Sequence, residues 1–174
     1  MTDKTSNLRQ DDESGAAGAP AVADPMAFDL GAFFPYRVRV FYQAVSSSVS
    51  DIYEPLFGLS VSEWRTMAVL GPHQALSAGE IVERSSMDKV TVSRAIKKLR
   101  AAGLLKRDID GDDRRRAVLR LTAKGVATHR DLVPLVLARE EALLEGFSDS
   151  ERDALLRMME RVRRNAAALQ GAED

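Results

Sequence analysis

The 174-residue chain contains no cysteine, only two histidines and a single tryptophan, and each scarcity removes a class of chemistry. Without cysteine there are no disulfides, no thiolate metal sites and no thiol-based redox sensing. His73 and His129 fall in different elements and no group of carboxylates gathers near either, so no metal site and no cofactor are expected. Neither histidine has a serine or carboxylate at a spacing that suggests nucleophilic catalysis. There is also no glycine-rich phosphate loop, so the chain is not expected to be an enzyme. Long apolar runs are missing too, as is the basic-then-apolar pattern of a signal peptide. The expectation is a cytoplasmic protein with no membrane partner.

What is present is unevenly distributed. The chain is 45% hydrophobic, enough for one compact domain with an attached helical element, and its formal net charge is −1. That near-neutrality hides a partition. Residues 84–120 hold twelve Lys or Arg against five Asp, whereas residues 1–30 hold two basic and six acidic groups. A basic stretch confined to one segment is the electrostatic footprint of a duplex binder. Residues 1–30, rich in Asp, Ser, Gly, Ala and Pro, have too little apolar area to offset ordering, and are expected to form a disordered acidic tail.

The basic segment has the order of a DNA-reading unit. Ser62-Glu-Trp-Arg-Thr-Met-Ala-Val-Leu70 reads as a first helix stopped by Gly71-Pro72, and Ser77-x-x-Glu80 is a capping box opening a second, with Ile81 and Val82 inward. Asp88 is the expected N-cap of a third, which Gly103 stops. With Ile96 as the centre of its buried face, about 100° per residue puts Val92, Ala95 and Leu99 inward. Val90, Thr91, Arg94, Lys97 and Lys98 then point outward. By itself that face is either a solvated basic surface or a major-groove reader. The company it keeps favours the reader. Ser77 would approach a phosphate as the preceding helix crosses the backbone. Leu104-Leu-Lys-Arg107 and Ala117-Val-Leu-Arg-Leu121 look like hairpin strands around the tip Asp110-Gly-Asp-Asp-Arg-Arg-Arg116. Three arginines at such a tip suit phosphates or a narrow minor groove, and of the four nearby aspartates Asp113 is assigned to hold them.

These residues, from the capping-box helix through Asp88-Lys-Val-Thr-Val-Ser-Arg-Ala-Ile-Lys-Lys-Leu99, Gly-Leu-Leu-Lys-Arg107, Asp113-x-Arg115 and Leu-Arg-Leu-Thr122-Ala-Lys-Gly125, resemble the MarR family of bacterial transcription regulators. The likeness covers residues 33–168 in organisation and is tightest over 62–125. It implies a mainly α fold: a winged helix-turn-helix with a small β-hairpin wing, plus N- and C-terminal dimerisation helices. By the resemblance Arg115 enters the minor groove with Asp113 steering it, Arg114 and Arg116 are phosphate contacts or alternates for the same groove, and Lys89, Ser93 and Arg94 lie on the recognition helix. Some relatives sense peroxide through a cysteine; this chain has none.

Flanking helices complete the organisation. Val38, Phe41, Tyr42, Val45, Val49, Ile52 and Tyr53 form a stripe on a helix from Gly31 to about Glu54, ended by Pro55. Two more run over 123–146, kinked at Pro134, and 149–169, with Ser148-x-x-Glu151 as a capping box between them. The expected division is a tail at 1–30, a dimerisation part at 31–55 and 123–169, and a DNA-binding part at 56–122. The terminal helices carry more apolar face than one winged unit covers, so a twofold homodimer on double-stranded DNA with an inverted repeat is expected. The resemblance further implies a small-molecule effector between these parts, an aromatic carboxylate or its CoA thioester. Its candidate residues are Phe33, Tyr36, Arg37, Arg39, Tyr42 and Ser46, with Trp64, Arg65, Ala68 and His73. The competing expectation is an architectural or protein-interaction module without sequence choice.

Overall fold

The computed structural model describes residues 25–73, 75–109 and 117–171. Most of the acidic tail and the wing-tip assignments Asp113, Arg114, Arg115 and Arg116 therefore lie outside the described residues. The chain divides into two compact units, Met1–Arg39 and Val40–Asp174. In the first, a 3-10 turn at Pro25–Ala27 is followed by an Asp29 turn, whose carboxylate accepts from the Gly31 amide at 2.8 Å; Phe28 and Phe33 meet edge to face with centroids 5.3 Å apart.

Helix α1 spans Phe34–Phe57 and contains Pro55 in its last turn. The expected stop at Glu54 is thus one turn early. Proline forfeits only its own amide bond, and a helix that ends within a few residues tolerates that loss. The stop is Gly58, whose φ of 64° is accessible to glycine and whose amide donates to the Glu54 carbonyl at 2.9 Å. The start also moves, since residues 30–32 form a turn before the helix begins.

Helix α2 covers Val61–Leu70. Its cap is Ser60, with a full capping box to Glu63, so the helix begins one residue before the expected Ser62. Helix α3 is Ala78–Ser85, opened by the expected Ser77–Glu80 box, and α4 is Lys89–Ala101, capped by Asp88. Strands β1, Leu105–Ile109, and β2, Ala117–Leu121, pair antiparallel with Leu105 opposite Leu121 and Arg107 opposite Leu119. Leu76 adds a third, one-residue edge by exchanging both backbone hydrogen bonds with Leu119, at 2.8 and 3.1 Å. Helix α5, Ala123–Leu143, runs through Pro134, and Gly146 at φ 82° follows its end. Helix α6, Asp149–Gln170, opens with the Ser148–Glu151 box. The chain thus has the mainly helical winged helix-turn-helix architecture with a β-hairpin wing.

The core explains why the three short helices hold one arrangement. Met67 and Leu70 of α2, Ile81 of α3, and Val92 and Leu99 of α4 are almost completely buried together, with Leu132 of α5, Tyr53 of α1, and Leu104, Leu105 and Leu119 around the wing. Each large aliphatic side chain so buried contributes about 1.5–3 kcal/mol. The inward face of α4 centres on Val92, Ala95 and Leu99, and Ile96 sits at its edge, half-buried, a small rotation from the expected centre.

One junction ties the end of α4 to the start of α5. Thr122 caps α5 by accepting from the Gly125 amide at 3.0 Å, while its own hydroxyl donates to the Gly103 carbonyl at 2.7 Å. The Lys124 ammonium donates to the Ala102 carbonyl at 3.0 Å, a cation on a carbonyl at the C-terminal end of α4. Gly125 lies so close to the Leu104 carbonyl oxygen that a Cβ there would overlap it. The obstacle is backbone, which cannot step aside as a flexible side chain would. Gly125→Ala is therefore expected to cost about 2 kcal/mol or more, read as a fall in the urea midpoint with an unchanged m-value; a neutral result would mean that the junction is loose.

Candidate nucleic-acid interface

The face of α4 away from the core carries Val90, Ser93, Arg94 and Lys97, all exposed, with Lys89 at its first turn and Arg100 at its last. None of Lys89, Arg94, Lys97 and Arg100 is in a salt bridge with any other described residue. The start of the helix is fixed by Asp88: its carboxylate accepts from the Thr91 amide at 2.8 Å and from the Thr91 hydroxyl at 2.6 Å. The Thr91 hydroxyl and then the Thr91 amide hold the Asp88 carboxyl below its ordinary range, so the cap stays ionised. Thr91 is consequently occupied as a donor within its own helix.

Not every cation expected on the outward face has the same freedom. Lys98 lies on the flank next to α2, where its ammonium is 3.4 Å from Glu63, a carboxylate whose side chain is only 8% exposed. Glu63 also receives the Ser60 amide at 2.9 Å, so a single buried acid caps α2 and holds Lys98. Ser77 is similarly engaged, donating to Glu80 at 2.7 Å and accepting from the Glu80 amide at 3.3 Å.

Two arginines that the sequence argument passed over face the opposite flank. Arg100 from α4 and Arg107 from β1 line a cleft of about 590 Å³ between α4, the N-terminal end of α3 and the wing, along with Lys89, Ser93 and Lys97. Its floor is apolar, with Val92 and Leu119. Strand alternation is the signal that could have found Arg107: Lys106 and Asp108 point to one face of the hairpin, Arg107 to the other. On the first face Asp108 binds Lys106 at 2.9 Å and Arg120 at 3.6 Å. The aspartate shown holding cations in the described part of the wing is thus Asp108.

Of the candidate effector residues in the second unit, Tyr42, Ser46 and Arg65 come together: Arg65 Nη2 donates to the Tyr42 hydroxyl at 3.3 Å. That bond and a second with Ser46 hold the Tyr42 phenol below its ordinary pKa against the opposing effect of burial. Trp64 is half-buried between rings, 6.1 Å from Tyr53 and 5.9 Å from His129. The His73 amide closes the turn after α2 by donating to Leu70. Tyr36, Arg37 and Arg39 belong to the first unit, Tyr36 half-buried and the arginines exposed. Among the described residues no group of three His, Asp or Glu could hold a metal ion, and no helix is long and apolar enough to cross a membrane.

A basic helix anchored by its apolar face, a crossing helix before it and a strand hairpin after it define a winged helix-turn-helix of the DNA-binding class. Residues 57–116 match the family model described as MarR family. It is 26% identical over 120 residues to the HTH-type transcriptional repressor YetL of Bacillus subtilis, covering 66% of this chain and 72% of the relative. A MarR/EmrR family regulator from Acinetobacter superposes with a TM-score of 0.74 at 24% identity, over 81% of this chain and 99% of that one. Bordetella bronchiseptica BpsR, studied for the regulation of its DNA binding by 6-hydroxynicotinic acid, gives 0.66 at 24% identity, over 74% and 97%. These relatives are transcription regulators.

The stacked His129 gives a pH prediction. Burial lowers its pKa in the fold, so the folded state binds fewer protons there than the unfolded chain. A base whose folded pKa is depressed loses stability as pH falls below its unfolded value of about 6.5. The unfolding midpoint should therefore drop from pH 7 to pH 5, and the drop should be smaller in His129→Gln; equal drops in both proteins would remove His129 as the cause.

Proposed function

We propose that the chain is a dimeric, sequence-specific transcription regulator, acting as a repressor, whose DNA binding a small anionic aromatic molecule relieves. The observation that carries this reading is the α4 face itself. Arg94 and Lys97 stand exposed beside Val90 and Ser93, unpaired with any described acid, on a helix whose other side is fixed in the core. Arginine and lysine in that position can donate to guanine edges, and Val90 can touch a thymine methyl. Arg115 is proposed to enter the minor groove with Asp113 steering it, and Arg114 and Arg116 to meet phosphates.

The dimer rests on uncovered apolar surface. No residue of α6 is buried, and Leu156, Met158, Met159, Val162 and Leu169 are exposed along it, as are Val126, Leu137 and Leu143 on α5. Such a face on a water-exposed helix calls for a partner, and a twofold copy is the economical one. Residues 31–55 and 123–169 would then form the dimerisation part and 56–122 the reader. Two readers related by a twofold axis require half-sites about one helical turn apart, on the order of 10 base pairs, in an inverted repeat.

The effector reading draws on Tyr42, Ser46 and Arg65. A guanidinium beside a phenol and a hydroxyl offers a carboxylate two kinds of donor, with Trp64 on the same helix. BpsR, whose DNA binding an aromatic acid regulates, supports that class of ligand. To act, the ligand must bind the non-operator spacing of the two readers more tightly than the operator spacing.

The deciding experiment is a fluorescence-anisotropy titration on DNA from upstream of the protein's own gene, beside a shuffled duplex, at physiological salt. A preference of about 10³-fold or more is expected, and Arg94→Ala should weaken operator binding by about 1–3 kcal/mol without unfolding the protein. Equal, weak binding to both duplexes would instead indicate an architectural module. Arg115→Ala binding as tightly as wild type would remove the wing assignment. For the effector, aromatic acids and their CoA thioesters should raise the melting temperature of the wild type but not of Arg65→Gln; no shift across the panel would reject the ligand class.

A further inference from the structure

The cleft between α4 and the wing has a use that base readout leaves unassigned. Lys89, Lys97 and Arg100 reach it from α4 and Arg107 from β1, and no acidic side chain is among the described residues that line it. The Ala78 and Gly79 end of α3 borders the same space. Three other cations of the winged unit have acid partners, Lys98 on Glu63 and Lys106 and Arg120 on Asp108, and none of these three lines the cleft. Four like charges around one opening repel one another, and an arrangement kept without a described counter-charge is suited to an external anion.

We propose that this cleft seats the sugar-phosphate backbone of one DNA strand, with Arg100 and Arg107 as its positioning residues. The inference rests on the DNA-binding reading above and adds the division of labour within it. Lys97 and Ser93 lie on both the outward face of α4 and the wall of the cleft. A strand leaving the major groove read by α4 therefore passes over the cleft before the minor groove facing the wing. The apolar floor at Val92 and Leu119 suits deoxyribose, and the cationic rim suits the phosphates on either side. Guanidinium groups converging from a helix and a strand fix the depth at which α4 enters the groove, while carrying no sequence information themselves.

This assignment separates from base reading by its salt dependence. Each phosphate neutralised releases counterions, so removing one such contact lowers the slope of log affinity against log salt by about one unit on any duplex sequence. The test is an anisotropy titration of full-length wild type, Arg100→Gln, Arg107→Gln and Arg107→Lys on a random-sequence duplex and on the upstream duplex, across a potassium chloride series. Both glutamine variants should weaken binding to the two duplexes by the same factor and lose about one unit of slope each, and Arg107→Lys should restore the slope. An unchanged slope, or weakening confined to the upstream duplex, would overturn the proposal. A glutamine variant whose circular dichroism or melting temperature departs from wild type while the lysine variant fails to restore the slope would also overturn it, because the arginine would then be structural. Wild type that binds neither duplex at low salt defeats the DNA reading itself, a result distinct from any of these.

Discussion

The closed junction at the end of α4 is the constraint on which the placement of the basic face of α4 depends. Thr122 and Lys124 bond to carbonyls of the chain leaving α4, and Gly125 leaves the Leu104 carbonyl the space that a Cβ would fill. The C-terminal end of a helix leaves unpaired carbonyls that usually face water. Here those of Ala102 and Gly103 are instead taken up by the first turn of α5, so the end of the reading helix and the start of the next long helix form one hydrogen-bonded unit. The strand between them has no freedom to slide, because Leu105 and Leu119 are buried in the same core. The wing is thus aimed by α4 and α5 together.

Charge is allocated with the same economy. A basic segment of this density would repel itself, and internal acids cancel part of it where the structure gains from the cancellation. Glu63 shows how. It caps α2, is buried, and holds Lys98, so the pair clamps α4 against α2 while removing one cation from the outward face. Only the acid is buried; the Lys98 side chain is 71% exposed, so the pair is screened by water on one side and Glu63 keeps the Ser60 amide as a second partner. Asp108 does the equivalent work on the outer face of the wing, at exposed positions where an ion pair is worth about 1 kcal/mol or less and serves mainly to set the local charge. Among the cations these acids leave alone, Lys89, Arg94, Lys97, Arg100 and Arg107 span the outer face of α4 and its wing-side flank.

The parts of this arrangement that were legible in the sequence are the short-range ones. Capping boxes at Ser77 and Ser148, the Asp88 cap and the Gly103 stop are decided within four residues, and each stands where expected. The fold class followed from their order. Pro55 misled because the rule against proline weighs a lost bond without weighing how little helix remains beyond it. The capping box at Ser60 was equally local and was missed, since the apolar run was taken to begin after Ser62. Helix periodicity separated inside from outside on α4 correctly, but could not say which flank faces α2 and which the wing. That rotation is set by tertiary packing, and it is why Lys98 was grouped with Lys97, and Arg100 overlooked, although the three lie within four residues. The hydrogen bonds that join Tyr42, Ser46 and Arg65 were not legible for a related reason, because residue type alone does not give the spacing and facing that let side chains bond.

The junction differs in kind from the other contacts that α5 makes. Through Thr122 and Lys124 the first turn of α5 is hydrogen-bonded directly to the carbonyls of Gly103 and Ala102 at the end of α4. The contacts between α5 and α2 are of another kind: His129 of α5 stacks on Trp64 of α2, next to Gly71, with no hydrogen bond recorded from the imidazole among the described residues. Ring stacking is tolerant of small sliding where a hydrogen bond is not. Trp64 stands beside Arg65, which reaches Tyr42 of α1, so a ligand drawing on Arg65 would act where α1, α2 and α5 meet through their softest contacts. The α4–α5 contact is thus directional and hydrogen-bonded, whereas the α5–α2 contact at His129 and Trp64 is made by rings.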